Sequence, residues 1–247
     1  MAVYTAGVGM RAKQLYAPPL IFPGAVLSIS QLSPPSAGSL FRISGWNFQD
    51  DNQDFAGSTP LPTSLGGVSV EVNGQAVPLL SVTPSEIVAQ LPFTTAAGTT
   101  TFAVDLGGGK QIAPTAQVKD FAPEVLAYPN TGDAAAFHAG TSIHTDYQHP
   151  ASAGEVLEMY GIGLGAVSPA VDTGMPGPSN PPADAIAVPP VTIGGLEATV
   201  TFAGLAPGLV GIDQVNVVVP SGLKSGAQNV VWSDEGQLRY NLIIWVQ

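Results

Sequence analysis

The sequence predicts an all-β chain of two sandwich modules in tandem, on three observations. Apolar residues recur at every second position rather than every third or fourth. Gly (29) and Pro (23) are frequent but follow no collagen-like period. One set of strand and turn features occurs twice, in the same order, within 247 residues. That length suits two domains of roughly 100–120 residues each.

In the first half, Leu40-Phe41-Arg42-Ile43-Ser44 and Val68-Ser69-Val70-Glu71-Val72 alternate as half-buried strands do. Asn73-Gly74 is a tight hairpin signal, because both central residues of that turn need positive φ. It leads into Gln75–Val82, read as one strand, then Ile87–Leu91 and Thr100–Leu106, with Gly107-Gly108-Gly109 as the next turn. Strands at this spacing with turn chemistry between them predict a sandwich.

The second half repeats the plan. Ala37–Phe48 aligns with Ala153–Leu164, each a strand ending in Gly-x-x-hydrophobic. A long irregular loop follows in both, 49–66 and 165–190. Val68–Gly74 matches Val191–Gly195, Ile87–Pro92 matches Val215–Pro220, and Gly98–Val104 matches Gly226–Trp232. Six ordered features mark an internal duplication. The expected division is an N-terminal extension over 1–22, a first domain over 23–122, and a second over 123–247 that includes a connecting segment, 123–150.

These repeated features resemble the IPT/TIG family of immunoglobulin-like domains. The first half carries Gly45 to Phe48 after its first strand, the Val70 to Gly74 hairpin, and Ser85-Glu86-Ile87-Val88-Ala89-Gln90-Leu91-Pro92. From about residue 120 the chain is similar to an uncharacterised C-terminal domain of secreted acidobacterial proteins. Tyr160-Gly161-Ile162-Gly163-Leu164-Gly165, Ile193-Gly194-Gly195, Ala203–Gly211 and Gln214–Pro220 carry that similarity. The resemblance implies two tandem immunoglobulin-like (E-set/IPT-TIG-type) β-sandwiches on an exported protein. It brings no catalytic residues with it.

The formal net charge of −11, with seven Lys and Arg, argues against nucleic-acid or anionic-lipid partners, since both require cationic neutralisation. With no cysteine there is no disulfide, thiolate metal site or Cys nucleophile. Met1–Thr5 opens no secretion signal, and no apolar run reaches the length of a membrane span. The expected location is extracellular or cell-surface, with any signal peptide outside this numbering.

No catalytic, cofactor-binding or metal site is assigned. His138, His144 and His149, near Asp133 and Asp146, have spacings that fit no compact metal motif, and a solvated or hydrogen-bonded structural role is the preferred reading. Asp50, Asn52 and Asp54 alternate as calcium ligands do, but Phe55 and Leu61 occupy the places of the EF-hand Gly and Glu. A polar loop tip is preferred, with calcium binding at those three residues left open. Gly161, Gly163 and Gly165 are read as close backbone turns, because Pro-rich loop follows where a dinucleotide site needs a helix. Trp46, Phe48, Phe55, Trp232, Tyr240 and Trp245 are weighed as a glycan platform, with core packing preferred for each.

The function expected is therefore non-enzymatic: a self-assembling surface or fibre subunit, homo-oligomeric or polymeric. Residues 1–22, with a scattered apolar set and Arg11 and Lys13, would lie across their own module or add to a neighbour's sheet edge, the second being the assembly route. The alternatives are an adhesion or carbohydrate-binding module that uses loops 49–66 and 165–190 to meet a glycan or cell-surface partner, or accessory domains of a larger secreted protein.

Overall fold

A computed structural model describes residues 19–30, 33–49, 52–232 and 242–247, with backbone alone over 110–114. Most of the 1–22 segment, Asp50, Asp51 and Tyr240 lie outside the described residues. The described chain is all-β.

The first module runs β1 (Leu20–Ser28), β2 (Leu40–Trp46), β3 (Asp54–Phe55), β4 (Ser64–Leu65), β5 (Val68–Val72), β6 (Gln75–Ala76), β7 (Leu79–Val82), β8 (Glu86–Gln90), β9 (Gly98–Asp105) and β10 (Lys110–Val118). They form two facing sheets, β1-β2-β8-β7-β3 and β10-β9-β5-β4, with β6 attached to β5. Leu20–Phe22, at the end of the expected N-terminal extension, belong to β1, where Leu20 pairs with Trp46 and Ile21 with Gly45.

Alternation places the core. Val68, Val70 and Val72 point inward while Ser69 and Glu71 stay half-exposed. They meet Phe41, Ile43, Ile87 and Leu79 from the facing sheet, and Phe41 packs against Phe102 at a centroid distance of 5.3 Å. Asn73 and Gly74 turn with φ of 50° and 82°, as the hairpin signal predicts. The stretch expected as one strand over Gln75–Val82 is two, in different sheets. The break falls at Pro78, which has no N–H for a continued ladder. Its carbonyl accepts instead from Gln90 N–H at 2.9 Å, which carries the chain into the facing sheet.

The second module runs β11 (Glu124–Val125), β12 (Ala136–His138), β13 (Val156–Ile162), β14 (Val167–Ser168), β15 (Asp184–Ala185), β16 (Val191–Ile193), β17 (Leu196–Leu205), β18 (Asp213–Val218), β19 (Gly226–Trp232) and β20 (Leu242–Val246). The aligned strands pair alike in the two halves. β2 pairs β8 as β13 pairs β18, β5 pairs β9 as β16 pairs β19, and β9 pairs β10 as β19 pairs β20. Where Pro78 breaks the first module's crossing, β17 runs through unbroken. It pairs β16 over its first residues and β18 over the rest, and bulges between Val200 and Phe202 as it changes sheet. Its core, from Val125 to Val246, includes Leu157, Met159, Val215, Val217, Trp232 and Ile244.

The repeated Gly45 and Gly161 now have a steric reason. A Cβ at Gly45 would stand 2.3 Å from the Leu20 carbonyl and 2.2 Å from the Phe48 ring. At Gly161 it would stand 2.4 Å from the Glu124 carbonyl and 2.3 Å from the Trp232 ring. Each glycine lets a neighbouring strand approach while an aromatic ring covers it.

One departure from the duplicated plan matters most. β1 lies along β2 as one strand with an irregularity between Ile21 and Val26. In the second module the same edge is made by two pieces, β11 against Gly161–Ile162 and β12 against Leu157–Met159. Residues 126–135 are inserted between them. That loop closes on itself, with Ala135 N–H donating to the Leu126 carbonyl and Tyr128 N–H to the Asp133 carbonyl, both at 2.8 Å. The stretch read as a connection, 123–150, thus supplies the edge of the second sheet.

Candidate functional site

Two regions concentrate the non-repeated parts of the chain. The first is the junction of the modules. Loop 165–190, considered above as a binding surface, lies against the first module. Gly174 N–H donates to Gln90 Oε1 at 2.5 Å, and Leu61 N–H donates to the Gly174 carbonyl at 2.9 Å. Gln90 Nε2 donates to the Gly38 carbonyl at 2.8 Å, so one buried amide ties three chain segments together. Val167, Ala183 and Leu205 form a small core against Phe93 and Val171. On the other side, Leu40 N–H reaches the Gly211 carbonyl at 3.2 Å, and Gly163 N–H donates to Ser39 Oγ at 2.9 Å. Buried Glu124 accepts from the Ser33 hydroxyl at 2.7 Å and from the Ser28 hydroxyl at 3.3 Å.

The glycines of 161–165 serve this junction as the close turns expected of them. Gly163 and Gly165 have φ of 95° and 75°, and a Cβ at either would stand 2.0 Å from the Ala122 carbonyl or 2.1 Å from that of Asp120. Asp213 holds the same turn from inside, its Oδ2 accepting from Leu164 N–H at 2.9 Å. Burial pushes its carboxyl up to about 7, although N–H donation from Leu164 and Gly163 pulls the other way.

Gln90→Leu would leave the Gly174 N–H and the Gly38 carbonyl buried without their partner. We expect a loss of about 1–3 kcal/mol for each orphaned group, and cleavage within 165–190 that is faster than in the native chain under limited proteolysis. An unchanged cleavage rate would show that the loop holds its place without this amide.

The second region is a cleft of about 490 Å³ in the second module. Its lining includes Tyr128 and Leu126 from the inserted loop, Phe137 from β12, Tyr160 from β13, and Leu209 and Ile212 from the turn before β18. Phe137 lies opposite Glu158, and Tyr160 is two residues further along on the same outer face. The Tyr128 and Phe137 rings meet edge to face at 5.9 Å, as do Phe137 and Tyr160 at 5.7 Å. Burial raises the Tyr160 hydroxyl above its usual range, and the Glu158 carboxylate adds to that shift. Sequence reasoning missed this cleft. Its available signals were the aromatics at 128, 137 and 160, and the absence of Lys and Arg between Lys119 and Lys224.

The histidines take hydrogen-bonded structural places. His138 Nδ1 meets Glu155 Oε1, and its Nε2 contacts the His149 carbonyl at 3.1 Å. Burial opposes the charge on His138, but the Glu155 contact and the His149 carbonyl outweigh it, so its pKa is raised. His149 Nδ1 lies 3.1 Å from Asp146 Oδ1. His144 stacks on Tyr128 at 3.9 Å, with Nε2 2.9 Å from the Ala134 carbonyl. Among the described residues no three His, Cys, Asp or Glu converge as metal ligands do. Of the weighed calcium set, Asp54 accepts from Gln49 Nε2 at 2.6 Å and lines a cleft with Asn52. Asp50 lies outside the described residues.

The aromatics divide. Phe48 and Trp232 are buried, as core packing requires. Trp46 and Phe55 are 63% and 65% exposed, which corrects the core expectation for both. Trp46 follows Arg42 and Ser44 on the outer face of β2, and the Phe22 ring meets it edge to face at 6.4 Å.

Paired sandwiches with this repeated strand order define a tandem immunoglobulin-like β protein. Residues 26–118, within its first module, match the model of the IPT/TIG domain. No curated protein matches the chain. Among solved structures it is similar to the Bacteroides ovatus mixed-linkage glucan utilization locus protein SGBP-B, in complex with a mixed-linkage heptasaccharide. Identity there is 12%, over 90% of this chain and 45% of that one, with a TM-score of 0.36. The chain thus spans less than half the length of that protein. It is also similar to domains 5–6 of the S-layer protein SbsC, at 13% identity over 93% of this chain and 98% of that one, TM-score 0.27. A tandem of titin immunoglobulin domains shares 11% identity over 94% and 99%, TM-score 0.23.

Proposed function

We propose that the chain is a non-enzymatic extracellular binding unit, in which the first module supports the second and the second carries the ligand cleft. One observation carries this reading. The cleft lies where the second module departs from the duplicated plan, at the loop inserted over 126–135. A scaffold that repeats and a loop that does not is the arrangement by which binding sites are placed on sandwiches. The cleft's size falls within the range of small-ligand sites.

Saturation-transfer NMR with a library of small ligands tests this on the full chain and on Tyr160→Leu. Binders that lose their signal in the variant are expected. If every binder were indifferent to the variant, the cleft would not be the site.

A second reading, self-assembly as a surface or fibre subunit, is supported by the apolar edge of the first module. Among the described residues β1 pairs β2 alone, and its Leu20, 57% exposed, sits beside Trp46. Such an edge invites strand addition. Light scattering should then show higher-order species that Trp46→Gln disperses. A monodisperse monomer for the native chain would end this reading.

A further inference from the structure

We infer that the aromatic cleft binds an organic cation carrying a quaternary ammonium group; this rests on the cleft being the ligand site. The ring geometry comes first. Phe137 stands between Tyr128 and Tyr160 at interplanar angles of 75° and 77°. Rings meeting near right angles make the corner of a box, whereas stacking of a sugar face needs a flat platform. A cation within about 6 Å of a ring centroid is drawn to the negative face, more strongly where water is excluded.

Charge is the second observation. Between Lys119 and Lys224 there is no Lys or Arg, while Asp and Glu occur ten times from Asp120 to Asp213. Glu158 lies directly across from Phe137 and two residues from Tyr160; its Oε1 accepts from Gly140 N–H at 3.1 Å, so a carboxylate is held beside the box, outside its lining. An anion would be repelled here, and a cation is attracted.

The lining supplies the third. Leu126, Leu209 and Ile212 close the cleft with aliphatic surface, and the hydroxyl of Thr141 at its rim already donates to the His138 carbonyl at 2.7 Å. A methylated ammonium suits this aliphatic and aromatic wall, because its methyl groups pack against the rings and it carries no N–H to satisfy.

The box is also held before any ligand arrives. His144 backs Tyr128 in a parallel stack, is itself edge to face with Phe137 at 5.6 Å, and is fixed by the Ala134 carbonyl. The first module provides an internal comparison. In the positions of Phe137, Glu158 and Tyr160 it has Leu27, Arg42 and Ser44, with Arg42 ion-paired to Glu86. None of these three positions carries an aromatic ring, and the Glu86 carboxylate there is matched by a cation.

Calorimetric titration of the full chain with choline, and with the uncharged isostere in which a tert-butyl group replaces trimethylammonium, tests the inference. The isostere should bind roughly tenfold more weakly or worse, the discrimination of about one desolvated cation–π contact. Glu158→Gln should weaken choline several-fold and leave the isostere unchanged, and Phe137→Leu should weaken choline by a larger factor than it weakens the isostere, with thermal unfolding showing that both variants fold. Sedimentation with phosphatidylcholine vesicles separates a lipid headgroup from a free ligand; binding to either source supports the inference. Equal affinity for choline and its isostere, or binding of cellohexaose alone, would keep the cleft as a ligand site and overturn the cation. Failure of these probes together with every library ligand at the cleft would remove both readings.

Discussion

Replacing Phe41 with alanine is expected to lower the stability of the first module by about 3–5 kcal/mol, the range for truncating a buried aromatic. Phe41 is fully buried, and its ring meets Phe102 across the two sheets, so the cavity opens at the centre of the core rather than at its margin. Neither sheet can close on it without shifting its own hydrogen-bonded ladder. Trp46→Ala is the control. It removes a larger side chain from the same strand, but one that is 63% exposed, and should stay within roughly 1 kcal/mol of the native chain. Urea unfolding measures both. A comparable loss for the two would mean that strand alternation does not decide which side chains carry this sandwich.

Asp213→Asn is expected to stabilise the chain above neutral pH and to flatten its stability–pH profile. In the folded state this carboxyl holds its proton up to about pH 7, against 3.8 for an ordinary aspartate. The folded form thus binds more protons than the unfolded form between those values. Asp213's contribution is fully present below about pH 4 and is lost as pH rises through 7. Three pH units correspond to at most about 4 kcal/mol. Asparagine keeps an oxygen for the Leu164 N–H and carries no charge to desolvate. Thermal unfolding from pH 4 to pH 9 should show a native stability that falls up to about pH 7 and then levels off, and a variant that lacks that fall. Because the turn held by Asp213 also reaches Ser39, proteolysis at the junction should quicken in the native chain at high pH. Parallel profiles for the two proteins would show that Asp213 is charged in the fold throughout.

Both results bear on how far a sequence reading reaches. Val68–Val72 could be placed because its alternation reports one-sided burial directly. Asn73-Gly74 could be placed because few residue pairs accept two positive φ angles. The stretch Gln75–Val82 reads as one strand because its composition suits a strand throughout, and only the ladders show that Pro78 hands the chain from one sheet to the other. Trp46 continues the outward set of Arg42 and Ser44, but a pattern ending at a strand terminus does not say which face is covered.

The candidate site was illegible for a related reason. Tyr128, Phe137, Tyr160 and Ile212 are spread over more than eighty positions and share no spacing that chemistry would impose. Their meeting depends on β12 and β18 both pairing with β13, and on a loop inserted between β11 and β12. Loop 165–190 shows the same limit. Its Pro-rich composition announces irregular backbone and says nothing of the surface on which that backbone lies.

The sequence by itself thus determined the all-β class, the main hairpins and the duplication, because period-two burial and turn chemistry are written locally. The tertiary structure alone decided the docking of 165–190 on the first module, the burial of Asp213 and the convergence of three rings in one cleft. Each of these depends on strand register and on contacts between residues far apart in the chain, and a local pattern carries no record of such contacts.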